Sequence, residues 1–146
     1  MVPISNEIKV KIGITQGQVY NFSPKQGVLN HYYVVLNKDP KSSEEIYLAP
    51  FTSQKDNVLK FIKMNSFDDK TYVEIKVGEC SFLPKKSQSG IDCNRLIYID
   101  IEELISRIDS TDGGCNYPII DSEIFAKIKE GVALSPLVKP VVVENM

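Results

Sequence analysis

The sequence predicts a mainly β fold, a small barrel or sandwich, finished by one or two short helices. Three observations point there. Short apolar runs rich in Val, Ile, Tyr and Phe recur through residues 6–99, the composition of strands. Clusters of Gly, Pro, Asn, Asp and Ser separate them, as turns require. Only after Asp100 does the apolar spacing change from two to the three-and-four step of a helix. Many short strands followed by helices fit a small closed or sandwiched sheet with helices on its side or end.

The chain has 146 residues, enough for one domain with a proper core. Hydrophobic residues make up 42% and charged residues 25%, ordinary for a globular protein. The formal net charge of -2 leaves no whole-molecule nucleic-acid footprint, although a local basic patch is allowed. No window approaches the ~20 apolar residues of a membrane span. The first residues lack the basic-then-apolar layout of a secretory leader. Cys80, Cys93 and Cys115 fit no zinc spacing, and with one histidine in the chain a Cys/His metal site is not expected. Reduced, mostly buried thiols in a cytoplasmic protein are the expectation, with no metal and no cofactor.

In residues 1–14, Ile8, Val10 and Ile12 alternate with Lys9 and Lys11, which reads as an N-terminal extension or edge strand. Val19 and Tyr20 centre a short strand, and Ser23, Pro24 and Gly27 break it. Tyr32 to Leu36 is a continuous apolar run, suited to a strand buried on both faces. Ile46 to Phe51 is the next strand, with Pro50 limiting its ladder near the end. Val58 to Met64 alternates imperfectly and reads as a strand. Tyr72 to Val77 alternates cleanly, Ser81 to Leu83 is a further short strand, and Ile91 to Ile99 another. Ile101, Leu104, Ile105 and Ile108 have helical spacing behind an Asp100 cap. Asp121 caps a second helix whose stripe is Ile124, Phe125 and Ile128, with Gly131 as its stop. Residues 137–146 read as a tail, flexible or laid over the core or a partner.

Chemistry concentrates between His31 and Gln54. If the two strands there pair as a hairpin, the lone imidazole can meet the hydroxyls of Thr52 and Ser53. Histidine is the side chain best suited to proton transfer near neutral pH. Thr and Ser can hydrogen-bond phosphate oxygens without an unusual pKa. Arg95 can pair with a phosphate in two-pronged fashion, and Asp92 can orient His31 or act as base. Lys85 and Lys86 can hold an RNA backbone, and Tyr32 or Tyr33 can stack on bases. Each has a plainer reading: a solvated histidine, a Thr-Ser turn, a surface ion pair, an exposed Asp92, a solvated basic loop, a core tyrosine. The conjunction carries the case.

In order and spacing these pieces resemble the MazF/PemK-like (Kid-type) toxin family. The residues concerned are Gly17 and Val19, HYYVVLN over 31–37, FTSQ over 51–54, Ser89, Ile91 and Cys93, and GVALSP over 131–136. The resemblance implies an SH3-like small β-barrel of the MazF/PemK/CcdB type, assembled as a homodimer. It implies a metal-independent endoribonuclease cutting single-stranded RNA, restrained by a cognate antitoxin. The family's site positions match His31, Thr52, Ser53, Asp92 and Arg95 as catalytic residues, with Tyr32, Gln54, Lys85, Lys86 and Asn94 on the RNA. The family's Arg-Pro is His31-Tyr32 here, and the stretch between Ser53 and Cys80 is long. The competing expectation is a barrel without catalysis that binds protein or nucleic acid through Tyr20, Tyr32 and Phe51. Neither a Gly-x-Ser-x-Gly elbow nor a phosphate loop is present.

Overall fold

The computed structural model describes residues 3–25, 27–84 and 88–146. In chain order it holds α1 (Asn6–Gly13), β1 (Val19–Phe22), β2 (His31–Val35), β3 (Ile46–Thr52), α2 (Lys55–Met64), β4 (Tyr72–Ile75), β5 (Ser89–Asp92), β6 (Ile97–Ile99), α3 (Ile101–Ser110), α4 (Ser122–Leu134) and α5 (Pro140–Glu144).

The strands pair antiparallel along the path β1-β2-β3-β5-β4. The expected hairpin forms, with Tyr33 opposite Pro50 and Val35 opposite Leu48. β3 is the hub. One edge meets β2; the other is shared, Ile46 to Leu48 with β6 and Phe51 and Thr52 with β5. Pro50, which has no N–H to give a ladder, lies between those two partners. The path ends at β1 and β4, so among the described residues the sheet stays open where a closed barrel was expected.

The β2 run is buried on both faces because helices cover both sides. Val34 and Leu36 join Ala49, Phe51, Ile91 and the α4 residues Ile124, Ile128 and Val132 in one cluster. Tyr33 and Val35 join Ile46, Leu48, Val10, Ile14 and the α3 residues Leu104, Ile105 and Ile108 in another. Burying side chains of this size stabilises by about 1.5–3 kcal/mol each. Asp100 caps α3 by accepting from the Glu103 N–H at 2.8 Å, and Asp121 caps α4 by accepting from Glu123, as the sequence predicts.

Elsewhere the structure corrects the sequence reading. Within the stretch over 1–14 read as an N-terminal extension or edge strand, Asn6–Gly13 form helix α1 and not a strand. Its N-cap Ser5 accepts from Ile8 N, and its one buried position, Val10, faces the α3 side of the sheet. The strand over 58–64 is helix α2, whose buried Val58 and Ile62 are one helical turn apart. Ser81 to Leu83 is turn. The single strand over 91–99 is two, β5 and β6, with a turn between. Gly131 does not stop α4, which runs on to Leu134. A Cβ at Gly131 would lie 2.5 Å from Lys70 O and 2.9 Å from Cys93 Sγ, so glycine there serves close packing. In the tail, Val142 of α5 and Met146 are buried, and Lys38 N donates to Asn145 O at 2.7 Å.

Candidate functional site

Where β3 passes from one partner strand to the other, the chain between β5 and β6 turns away and leaves a cleft. Its volume is about 520 Å³, within the range of small-ligand sites. His31 and Tyr33 come from β2, Pro50 to Thr52 from β3, Asp92 from the end of β5, Arg95 from the turn after it, Ile97 from the start of β6, and Gln54, Asn57 and Val58 from the start of α2. Four of the five side chains expected to be catalytic, His31, Thr52, Asp92 and Arg95, therefore meet in one space, together with Gln54.

His31 opens β2 opposite Phe22 and is exposed. Thr52 Oγ1 accepts from Gln54 N at 3.0 Å; this turn contact uses a lone pair and leaves the hydroxyl proton to donate. Asp92, expected at the surface, is 2% exposed because β5 is buried along its whole length. Its Oδ1 accepts from Asn94 N at 3.0 Å, and its Oδ2 lies 3.5 Å from Arg95 Nε. Burial pushes the Asp92 carboxyl above the ordinary carboxylate range, against the opposing pull of the Asn94 N–H and the Arg95 guanidinium. The Arg95 side chain is largely exposed, and its guanidinium carbon lies 5.5 Å from the Phe61 ring centre, a cation–π distance.

The remaining expected residues are placed differently. Ser53 lines a neighbouring hollow of about 300 Å³ with Gln54, Asn57 and Gln88, not the cleft. Tyr32 is not on the cleft: its ring packs against Phe82, Tyr117 and Phe51 in the α4-side cluster, and alternation gives Tyr33 the cleft side. Tyr33 stacks on Phe22 at 4.4 Å. Asn94 is buried and its amide is taken up by Thr71 and Ser135. Lys85 and Lys86 lie outside the described residues. Asn57 was not foreseen, because reading 58–64 as a strand hides that α2 returns it beside Gln54, whose Oε1 accepts from Asn57 Nδ2 at 2.6 Å. The Val58–Ile62 spacing was the available signal.

Burial raises the thiol of Cys80 to about 11 and that of Cys93 to about 12, so neither is a nucleophile at neutral pH. Among the described residues, no three His, Cys, Asp or Glu side chains gather as metal ligands, and no helix is long and apolar enough to cross a membrane.

No family model and no curated protein matches the sequence. A chain of a solved structure, an endoribonuclease in complex with its cognate antitoxin from a mycobacterial species, is similar in fold. The TM-score is 0.54 and the identity 11%, over 83% of this chain and 92% of that one. At that identity the likeness speaks to the fold, a mainly antiparallel sheet with several helices.

Proposed function

We propose that this chain is a toxin–antitoxin-type endoribonuclease that cuts single-stranded RNA with its own side chains. The observation that carries the reading is the meeting of His31, Thr52, Asp92 and Arg95, from three separate stretches, in one cleft. The fold likeness to a chain from an endoribonuclease–antitoxin complex supports it.

In this reading the 2′-oxygen attacks the adjacent phosphorus, the P–O5′ bond breaks, and a cyclic phosphate and a 5′-hydroxyl result. One group takes the 2′ proton and another returns a proton to the departing 5′-oxygen. His31 and Asp92 divide those roles. Arg95 moves from Asp92 onto the phosphate and, with the Thr52 hydroxyl, stabilises the charge that builds on its oxygens. Gln54 and Asn57 hold the neighbouring nucleotide. A homodimer with a cognate antitoxin seated over the cleft completes the proposal, and RNA and that antitoxin are its partners.

The test is cleavage of a long single-stranded RNA by purified protein in EDTA, with His31→Ala as control. Cuts at a recurring short sequence, lost in a folded His31→Ala, are expected. Substantial cutting by that variant would assign the proton transfers to Asp92. No cutting by the folded wild type favours the second reading, a module of this fold that only binds. The feature on that side is Arg95, already held by Asp92 and Phe61.

A further inference from the structure

A chain of hydrogen bonds runs beneath the cleft. Leu137 N donates to Ser135 Oγ at 3.3 Å, and Ser135 Oγ donates to Asn94 Oδ1 at 2.6 Å. Asn94 Nδ2 donates to Thr71 Oγ1 at 2.8 Å, and Thr71 Oγ1 donates to Asp68 O at 2.7 Å. Thr71, Asn94 and Ser135 are all buried. The backbone joins in, with Cys93 N donating to Thr71 O at 2.9 Å. From the same residue, Asn94 N reaches the Asp92 carboxylate in the cleft.

Buried polar side chains are costly unless every partner is supplied, and apolar residues of similar volume would fill this space at less risk. The turn over 92–95 has a particular need of them. β5 and β6 both pair with β3 but not with each other; the β4–β5 ladder ends at Asp92, and beyond it the backbone is tied by Cys93 N to Thr71 O and by Arg95 N to Asp92 O. Asn94 adds the side-chain anchor, tied to two elements outside the cleft: the turn before β4 and the C-cap of α4, Ser135.

We infer that Asn94 is a positioning residue, clamped between Thr71 and Ser135 so that the Asp92–Arg95 turn presents its carboxylate and guanidinium to the substrate phosphate. What the cleft does with them rests on the RNA-cleaving reading above; the clamp is geometric. The inference gives Asn94, expected on the RNA, a different task, and makes the C-terminal end of α4 part of the site's frame.

The groups that face Asp92 are Arg95 and Cys93 on its own turn, Tyr72 opposite it on β4, and His31 across the cleft. Of its stabilising contacts, the Asn94 N–H is the one the clamp controls. Burial is the main cause that raises Asp92. With β5 still burying the carboxyl, loosening the clamp withdraws the Asn94 donor and leaves burial less opposed, so Asp92 should titrate at higher pH.

The experiment uses the full chain with Ser135→Ala and Thr71→Val, each removing one jaw, and Ser135→Thr, which restores the hydroxyl. Asp92 is titrated by carboxyl NMR, and steady-state cleavage of a single-stranded RNA oligonucleotide is followed against pH. The expected result is folded Ser135→Ala and Thr71→Val proteins with Asp92 titrating higher. Their kcat should fall about tenfold or more with KM little changed, the pH profile should follow Asp92, and Ser135→Thr should recover both. An unmoved Asp92 in the folded variants overturns the clamp, as does a moved Asp92 with unchanged kcat. If a variant does not fold, Ser135→Cys, a weaker donor of similar size, takes its place under the same criteria. If the wild type cuts no RNA, the enzymatic reading fails alone, and the Asp92 titration still decides whether Asn94 holds the turn.

Discussion

Asp92 shows at the scale of one residue how the fold raises the tension in its own site. Burial disfavours the carboxylate, and only the Asn94 N–H and Arg95 oppose it. A carboxyl whose folded pKa lies above its unfolded value binds more protons in the native state. Its contribution to stability is full below the unfolded pKa and is lost as pH rises through the folded one. Replacing it by the neutral amide removes that loss. Asp92→Asn should therefore raise the melting temperature at neutral pH while removing RNA cleavage, and its stability should fall less than that of the wild type between acid and neutral pH. Calorimetry across pH checks it; a destabilised variant at neutral pH would mean that the Arg95 pairing outweighs burial. None of this was legible in sequence. Asp92 follows Ile91 in a short segment, and nothing local reveals that the strand is buried along its length.

At the scale of elements, helices with a cap and a stripe were legible and helices without them were not. Asp100 with Leu104, Ile105 and Ile108 announces α3 through both signals. α2 has no side-chain cap, and α1 buries one residue, so their short apolar alternations mimic strands. The Gly131 misreading is of another kind. Glycine reads as a stop from local preference, but here it admits the Lys70 backbone and the Cys93 sulfur against α4. Gly131→Ala should keep the helix yet cost about 1–3 kcal/mol through overpacking, measured by denaturant unfolding. A neutral or stabilising result would show that α4 can shift away from the β5–β6 turn.

At the scale of the whole molecule, the electrostatics are modest. The net charge is -2, and among the described residues Arg95 is the one Lys or Arg side chain lining the cleft. On the proposed RNA-cleaving reading, RNA binding by this cleft should then depend weakly on salt. Above pH 8 the slope of log K against log salt should be about -0.7 to -1.5, and Arg95→Gln should reduce its magnitude by about 0.7. Titration of a single-stranded oligonucleotide at several salt concentrations checks both numbers. A much steeper slope would mean that further basic residues contact the RNA, with Lys85 and Lys86 the first to replace.

The sequence by itself determined the strand-rich plan, the β2–β3 hairpin, the two capped helices and the residue types of the site. Each is set by local patterning: period, turn chemistry and caps act within about ten residues. It also brought His31 near Thr52, since a hairpin is a local contact. Tertiary structure decided the rest. The division of β3 between β5 and β6 opens the cleft, admits Asp92 and Arg95, turns Tyr32 away and gives Asn94 to Thr71 and Ser135. Those outcomes depend on contacts between residues far apart in the chain. Their energies come from burial and from hydrogen bonds formed only once the layers have packed.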